Sequence, residues 1–285
     1  MKIFAERDNA RGADLSERGE YEQAEIYLRK AIDAAPKWSV PWYNLGLLYK
    51  RTHKWQESLE CNQRAVEFDP KDEAAWWNLG IAATALGKWR LARQAWQVFG
   101  LDAPITDDEV LIRFGSTPIR INSREEGEVV WCYRIDFARA IIKSVPLPES
   151  EHRFEDLLLH DGAPNGYRKS QGKQVPVFDE IQILKPSEYS TFQAIIRTES
   201  QIDIEDLISL AFENEMGAEN WQTIRLLCEQ CSRGIPHEHD APTYEAFSDL
   251  RIGIAAKLRD DALRLLESWS ISHSASELKS FEQVL

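Results

Sequence analysis

The first hundred residues repeat themselves every 34 positions. Three segments beginning at Ala5, Ser39 and Glu73 align without a gap, so that the eighth position is Gly12, Gly46 and Gly80. The twenty-seventh is Ala31, Ala65 and Phe99, and prolines close the first two units at Pro36 and Pro70. The second and third units share Trp-x-Asn-Leu-Gly, from Trp42 to Gly46 and from Trp76 to Gly80, with Tyr43 and Trp77 as the variable residue. A period of this length makes each unit one supersecondary element that cannot bury its apolar face alone, so the three must stack. Trp42, Leu45 and Tyr49, like Trp76 and Leu79, fall three or four residues apart, which is one apolar stripe of a helix. Gly and Ala stand where the two helices of a unit cross and let the backbones approach. Pro70 ends a helix because proline cannot continue the hydrogen-bond ladder, and Thr52-His53-Lys54 and Leu86-Gly87-Lys88 supply turns within units. The first unit has Asp8 and Arg11 where the second has Trp42 and Leu45, as expected of an end that faces water.

Size, spacing and residue type together resemble the tetratricopeptide repeat family, whose unit is a pair of antiparallel helices of 34 residues. The resemblance covers residues 5–100 and implies a helical solenoid over 1–103, built of three helix-turn-helix repeats. It also implies a concave groove, lined by the first helix of each repeat, that takes an extended peptide or a partner helix. The groove positions by register are Val40, Tyr43, Leu47 and Lys50 in the second unit and Ala74, Trp77, Ile81 and Thr84 in the third, with Asn44 and Asn78 beside them. Tyr43, Asn44, Leu47, Lys50, Trp77, Asn78 and Ile81 are therefore the expected partner-binding residues, and Tyr43 and Trp77 are of the types enriched at interaction hot spots. Chaperone-binding members hold a C-terminal carboxylate with a clamp of Lys, Asn and Arg. The matching positions here are Asn9, Ala13, Asn44, Ala74 and Asn78, of which only Asn44 agrees, so a chaperone tail is not the expected ligand.

Charge divides the chain unevenly. Residues 1–100 hold 15 Lys and Arg against 14 Asp and Glu, and the remainder holds 19 against 33. So acidic a portion is a poor nucleic-acid binder, because phosphate contact needs cations; it suits either plain solubility or attraction to a basic protein. The N-terminus carries no apolar run of signal-peptide length, and no stretch of eighteen apolar residues marks a membrane span. Four cysteines outside any dense framework fit a reducing compartment. The expectation is a cytoplasmic protein.

Beyond residue 103 the pattern becomes extended. Thr117 to Asn122 and Glu128 to Ile135 are rich in β-branched and aromatic residues, with Arg124 to Gly127 as the turn between them. Ala138 to Val145 reads as a third strand and Val175 to Leu184 as a later one, and five prolines between 146 and 186 argue against a long helix. Residues 104–186 are expected to be mostly β. Over 187–285, strands at Thr191 to Arg197, Trp221 to Leu227 and Leu250 to Ala256 alternate with helices at Asp203 to Glu215 and Asp260 to Trp269, an α/β unit of ferredoxin-like character. Periodicity leaves open whether 104–186 and 187–285 share one core. The fold class is α+β: an all-α solenoid followed by a mixed α/β region.

One constellation carries chemistry: Cys228-x-x-Cys231 followed by His237-x-His239. Thiolates and imidazoles are zinc ligands, and Gly234 and Pro236 bend the chain between the pairs, so one structural zinc is expected at Cys228, Cys231, His237 and His239. The spacing is shorter than in common zinc fingers, and an i, i+2 histidine pair on extended chain points to opposite faces. Unpaired thiols or a redox dithiol are the alternatives. The run His160-Asp161-Gly162-Ala163-Pro164-Asn165-Gly166 is ordinary turn chemistry, read as a hairpin connection, and Cys61 and Cys132 read as core residues. No P-loop, dinucleotide fingerprint or nucleophile elbow is present. The whole chain also resembles bacterial proteins that join tetratricopeptide repeats to an acidic α/β domain. The expected function is non-enzymatic partner binding through the groove or the acidic region, in its most concrete form an immunity or antitoxin-type inhibitor of a basic toxin. The competing reading is a metal-dependent hydrolase or redox enzyme using the Cys228–His239 segment. Sequence does not give the oligomeric state.

Overall fold

In a computed structural model, residues 2–122, 127–170, 173–198, 200–222 and 249–285 are described. They form two compact units, Met1–Leu111 and Ile112–Leu285.

The first unit holds six helices: α1 (Lys2–Glu17), α2 (Tyr21–Ala34), α3 (Ser39–Arg51), α4 (Trp55–Phe68), α5 (Glu73–Ala85) and α6 (Trp89–Val98). The period-34 glycines set the distance between the helices of each pair. A Cβ built on Gly12 would lie 2.6 Å from the Leu28 side chain, on Gly46 2.5 Å from Asn62, and on Gly80 2.5 Å from the Trp96 ring. Each first helix thus receives one side chain of its second helix where any larger residue would collide. Leu28, Asn62 and Trp96 are fully buried, and Trp96 packs edge-on to Trp77 with ring centroids 5.1 Å apart. Turns follow the same repetition, for the indoles of Trp42 and Trp76 donate to the carbonyls of Pro36 (2.9 Å) and Pro70 (3.0 Å). Asp72 caps α5 by accepting from the Ala75 amide at 3.0 Å.

The solenoid stops because its last helix changes character. Arg93 lies 34 residues after Leu59, which is buried in α4. Its guanidinium instead donates to the carbonyls of Asp108 (3.1 Å) and Glu109 (3.0 Å), while Arg90 forms a two-bond pair with Asp107 (2.8 and 3.0 Å). Gln97 donates to the Ala103 carbonyl. Residues 101–111 are thereby tied to the outer side of α6 as an irregular strap, so the helical unit runs past residue 103.

The second unit contains two β systems. Strands β1 (Gly115–Ile121), β2 (Glu128–Arg134), β3 (Arg139–Ile142), β4 (Leu157–His160) and β7 (Phe178–Lys185) close into a barrel in the order β1-β2-β3-β4-β7. An odd ring of strands cannot alternate direction throughout, and the barrel closes on a parallel contact pairing Ile119 with Phe178 and Arg120 with Asp179. Its centre is filled from alternate positions by Ile119, Ile121, Val130, Cys132, Ala140, Ile142, Leu158 and Phe178. A separate hairpin, β5 (Tyr167–Ser170) and β6 (Lys173–Pro176), precedes β7. The turn expected at Arg124–Gly127 lies outside the described residues except for Gly127, but β1 and β2 pair antiparallel on either side of it. Residues 161–166 do not make a hairpin: they lead from β4 to β5, which belong to different sheets.

The remaining elements are β8 (Ser190–Arg197), α7 (Gln201–Glu213), β9 (Gly217–Asn220), β10 (Asp249–Ala256), α8 (Arg259–Ser272) and β11 (Glu277–Gln283). The sheet order β11-β8-β10-β9, antiparallel throughout, is the ferredoxin-like arrangement. Phe192, Ala194, Ile196, Ile252 and Ile254 pack beneath Leu207 of α7 and Leu266 and Trp269 of α8. β9 (Gly217–Asn220) lies before the strand expected over Trp221–Leu227, of which the described residues, Trp221 and Gln222, form a turn. Gly217 permits this placement of β9: a Cβ there would lie 2.8 Å from Val145 and 3.0 Å from Phe154. Residues 223–227 lie outside the described residues. Val145, Phe154, Trp221 and Ala255 form one cluster, a small join between the separate cores of the barrel and of the ferredoxin-like sheet.

Replacing Gly80 with Ala gains helix propensity of about 1 kcal/mol but drives a methyl into the buried Trp96 ring, a type of overpacking that costs about 1–3 kcal/mol. The net expectation is a lower melting temperature for Gly80→Ala than for the parent, measured by circular dichroism, whereas Gly19→Ala, which meets no neighbouring atom, bears only the strain of its positive φ.

Candidate partner-binding groove

The face of α3 that the repeats turn inward is built from residues four apart. Tyr43 and Leu47 lie half-buried on it, with Val40 exposed and Asn44 half-buried alongside. Trp42, Leu45 and Tyr49 fall on the opposite side of the same helix. Asn44 donates its amide to Asn9 of α1 at 2.8 Å, and Arg51 donates to Ser16 at 3.1 Å, so polar side chains register α1 against α3 along the groove.

Toward the third repeat the groove positions close. Lys50 is buried and its ammonium donates to the Asn78 side chain at 2.9 Å. Ile81 is fully buried and Thr84 nearly so. Trp77 is half-buried and meets Trp96 and Phe99 edge-on, the latter with centroids 4.7 Å apart. Of the seven residues expected to bind a partner, Tyr43, Asn44 and Leu47 retain accessible surface at the second repeat, and Trp77 retains part of its own. Lys50, Asn78 and Ile81 are packed. The register argument carried no information about depth.

A second concavity lies on the other side of α3, a cleft of about 570 Å³ with Arg29, Trp42, Tyr49, Glu57, Cys61 and Arg64 among its walls. At its edge Tyr49 donates its hydroxyl to Glu25 (2.7 Å) and accepts from Arg29 (2.7 Å). Burial works against the ionised Glu25, but the Tyr49 and Arg29 hydrogen bonds outweigh it and hold the carboxyl below its usual range. Cys61 is buried, and that burial pushes its thiol up to about 12. Burial likewise raises the Cys132 thiol in the barrel. Neither sulfur is a thiolate nucleophile near neutral pH. The i, i+4 pair Glu25 and Arg29, one repeat before Tyr49, is the signal by which sequence could have found this cluster.

The second unit contains acids that sequence reading also passed over. Glu128 points inward with Val130 and Cys132, since these positions alternate on one face of β2; it is buried and accepts from the Leu147 amide at 3.1 Å. Glu219 of β9 accepts from the Val145 amide at 2.7 Å. His160 is fully buried, with Nδ1 bonded to the Asp161 carbonyl at 3.0 Å, and burial together with the nearby Arg134 lowers it to about 3. It is a neutral core histidine. Cys228, Cys231, His237 and His239 all lie outside the described residues. Among the described residues no cluster of His, Cys, Asp and Glu has a metal-binding arrangement, and no helix is long and apolar enough to cross a membrane.

Residues 15–37 match the tetratricopeptide repeat family model. The chain matches no curated protein sequence. Among solved structures, the second tetratricopeptide domain of Spaghetti (RPAP3), bound to the HSP90 peptide SRMEEVD, is 26% identical with a TM-score of 0.33, covering 34% of this chain and 89% of that one. The first such domain of the same protein, bound to the same peptide, is 24% identical with a TM-score of 0.33, over 34% and 77% of the two chains. The Sgt2 domain from Aspergillus fumigatus is 24% identical with a TM-score of 0.31, over 33% and 62%. With the family match running from the end of α1 through α2, and three glycine-locked helix pairs repeating at 34 residues, the N-terminal unit is a tetratricopeptide-like solenoid.

Proposed function

We propose that this protein is a non-enzymatic, cytoplasmic binding protein that takes a partner segment along α1 and α3. The observation carrying this reading is the half-exposed strip of Tyr43, Asn44 and Leu47, fixed by the Asn44–Asn9 bond at 2.8 Å. It presents one aromatic and one aliphatic anchor beside amides that pair with a peptide backbone. Tyr is a residue type that concentrates binding energy at interfaces. The test is affinity capture from the native cell with the parent chain and with Tyr43→Ala/Leu47→Ala, identified by mass spectrometry. The variant should lose the captured partner, corresponding to at least about 2 kcal/mol, and keep the parental circular dichroism spectrum. Equal capture by a folded variant would remove the groove from the reading. Trp77 is left intact in this test because its stack on Trp96 and Phe99 ties it to the core.

The finer form of the reading is an immunity or antitoxin-type inhibitor whose acidic residues beyond position 100 engage a basic toxin. It is supported by the balance of 19 basic against 33 acidic residues there. Exposed Glu205, Asp206 and Glu213 of α7, with no basic residue in that helix, provide a surface to which a cation would be steered. Association with such a partner should slow steeply as salt rises, because the Debye length falls from about 30 Å at 0.01 M to about 8 Å at 0.15 M, while dissociation changes little. Stopped-flow kinetics at several ionic strengths decide this, and an on-rate indifferent to salt would leave the acidic surface as a solubility feature.

A structural zinc held by Cys228, Cys231 and His237 or His239 is proposed from ligand chemistry alone. Reduced protein purified without chelators should carry about one equivalent of zinc by elemental analysis, falling in Cys228→Ser/Cys231→Ser. Metal-free protein would exclude the site and, with it, the rival reading of a metal-dependent hydrolase.

A further inference from the structure

The segment Ser144-Val145-Pro146-Leu147 runs between the barrel and the ferredoxin-like sheet and is gripped from both sides by acids. From the barrel, Glu128 of β2 accepts the Leu147 amide at 3.1 Å. From the sheet, Glu219 of β9 accepts the Val145 amide at 2.7 Å and also bonds the Ser144 side chain. The Ser144 hydroxyl lies 3.1 Å from the Trp131 amide, which donates to it, and the Val145 carbonyl accepts from the Trp221 indole at 2.9 Å. Val145 and Leu147 then pack with Phe154, Trp221 and Ala255. Proline at 146 has no amide to donate, so the two hydrogen bonds fall on the residues to either side of it. The strap belongs to the connection from β3 to β4; it is a packing link between the two β systems, and two carboxyl groups hold it.

We propose that this strap is a proton-operated clasp: it is shut when Glu128 and Glu219 are protonated, and it loosens when both ionise. The physical case is local. Glu128 is buried, Glu219 is tucked against the same loop, and the Glu219 charge adds to the cost of ionising Glu128. The charged groups around them do not cancel that cost. Glu149 beside the strap adds a further negative charge near Glu128, and its own partner Arg251 stands 3.8 Å away on β10. His152, in the loop after the strap, favours ionised Glu128 but is engaged with Glu180 of β7 at 2.8 Å, and Asp156 also acts on it. Burial accordingly pushes Glu128 and Glu219 each up to about 7.

The sign follows from linkage. A carboxyl whose folded value stands above its unfolded value binds more protons when folded, so its contribution to stability is present at low pH. That contribution is lost as pH rises from the usual carboxylate range through neutrality. His152, raised by its Glu180 partner against the effect of burial, works in the same direction, and the test must separate it.

The experiment is amide hydrogen exchange of Val145 and Leu147 in the full chain, corrected for intrinsic rates, between about pH 5.5 and 8.5. The opening equilibrium at these two amides should rise about tenfold for each carboxyl between about pH 6 and 8. In Glu128→Gln/Glu219→Gln, whose amide oxygens still accept the two N–H groups, protection should persist at the upper end of the range. Carbon-13 chemical shifts of the glutamate side chains in the parent give a second readout that needs no variant: two carboxyls should titrate near neutrality. Exchange independent of pH, both carboxyls titrating in the ordinary range, or a transition that survives in the double variant and tracks the His152 imidazole would each overturn the proposal.

Discussion

The solenoid depends on the absence of three Cβ atoms. At Gly12, Gly46 and Gly80 the first helix of each repeat comes so near the second that a methyl group would stand 2.5–2.6 Å from a side chain already there. That approach is what brings α1, α3 and α5 into one layer and gives the groove its floor. The three partners differ: Leu28 is aliphatic, Asn62 bonds the Ser58 carbonyl at 2.8 Å, and Trp96 anchors an aromatic cluster with Trp77 and Phe99. The same geometric device therefore sets three local chemistries, apolar at the start, polar in the middle and aromatic at the end. The aromatic end is also where the groove positions are most deeply packed.

The second unit solves a different problem, that of joining two sheets whose cores form separately. Barrel closure requires one parallel contact among five strands, and the ferredoxin-like sheet is complete with its own helices. The join is small, made of Val145, Phe154, Trp221 and Ala255, and polar groups fix its register. Trp221 lies flat enough on β10 that only glycine fits at 253, where a Cβ would be 2.3 Å from the indole. Arg251 stands over the same ring, 4.9 Å from its centroid. A join of this kind specifies position through few, strongly constrained contacts, and that makes its buried acids consequential.

Much of the architecture was legible because it rests on period. Thirty-four-residue spacing, the Trp-x-Asn-Leu-Gly runs and the alternation in Glu128–Arg134 each repeat a physical constraint often enough to be seen. Two β-α alternations suggested the ferredoxin-like character, but β11 (Glu277–Gln283), mostly exposed and polar, was not read as a strand. What period does not carry is depth: Tyr43 and Ile81 both fall on the groove face, yet one is half exposed and the other fully buried. Glu128 was readable as an inward residue by parity alone, but charged residues are expected outside, and only its Leu147 partner explains its tolerance. The strand at Gly217–Asn220 is short and weakly β-forming, so its position is set by packing against Val145 and Phe154 rather than by its own residues. The strap at 101–111 has no regular structure, and its order comes from Arg90 and Arg93, which look like ordinary surface residues in sequence.

That strap bears on assembly. Stacked helical repeats are open-ended by nature, since the face that receives one unit is equivalent to the face that would receive the next, including one from another molecule. Where α4 carries the buried Leu59, α6 carries Arg93, and the guanidinium is spent on carbonyls of the chain immediately downstream. The end of the array thus recognises its own continuation. Lengthening the solenoid beyond α6 would cost it these guanidinium bonds to the segment that follows.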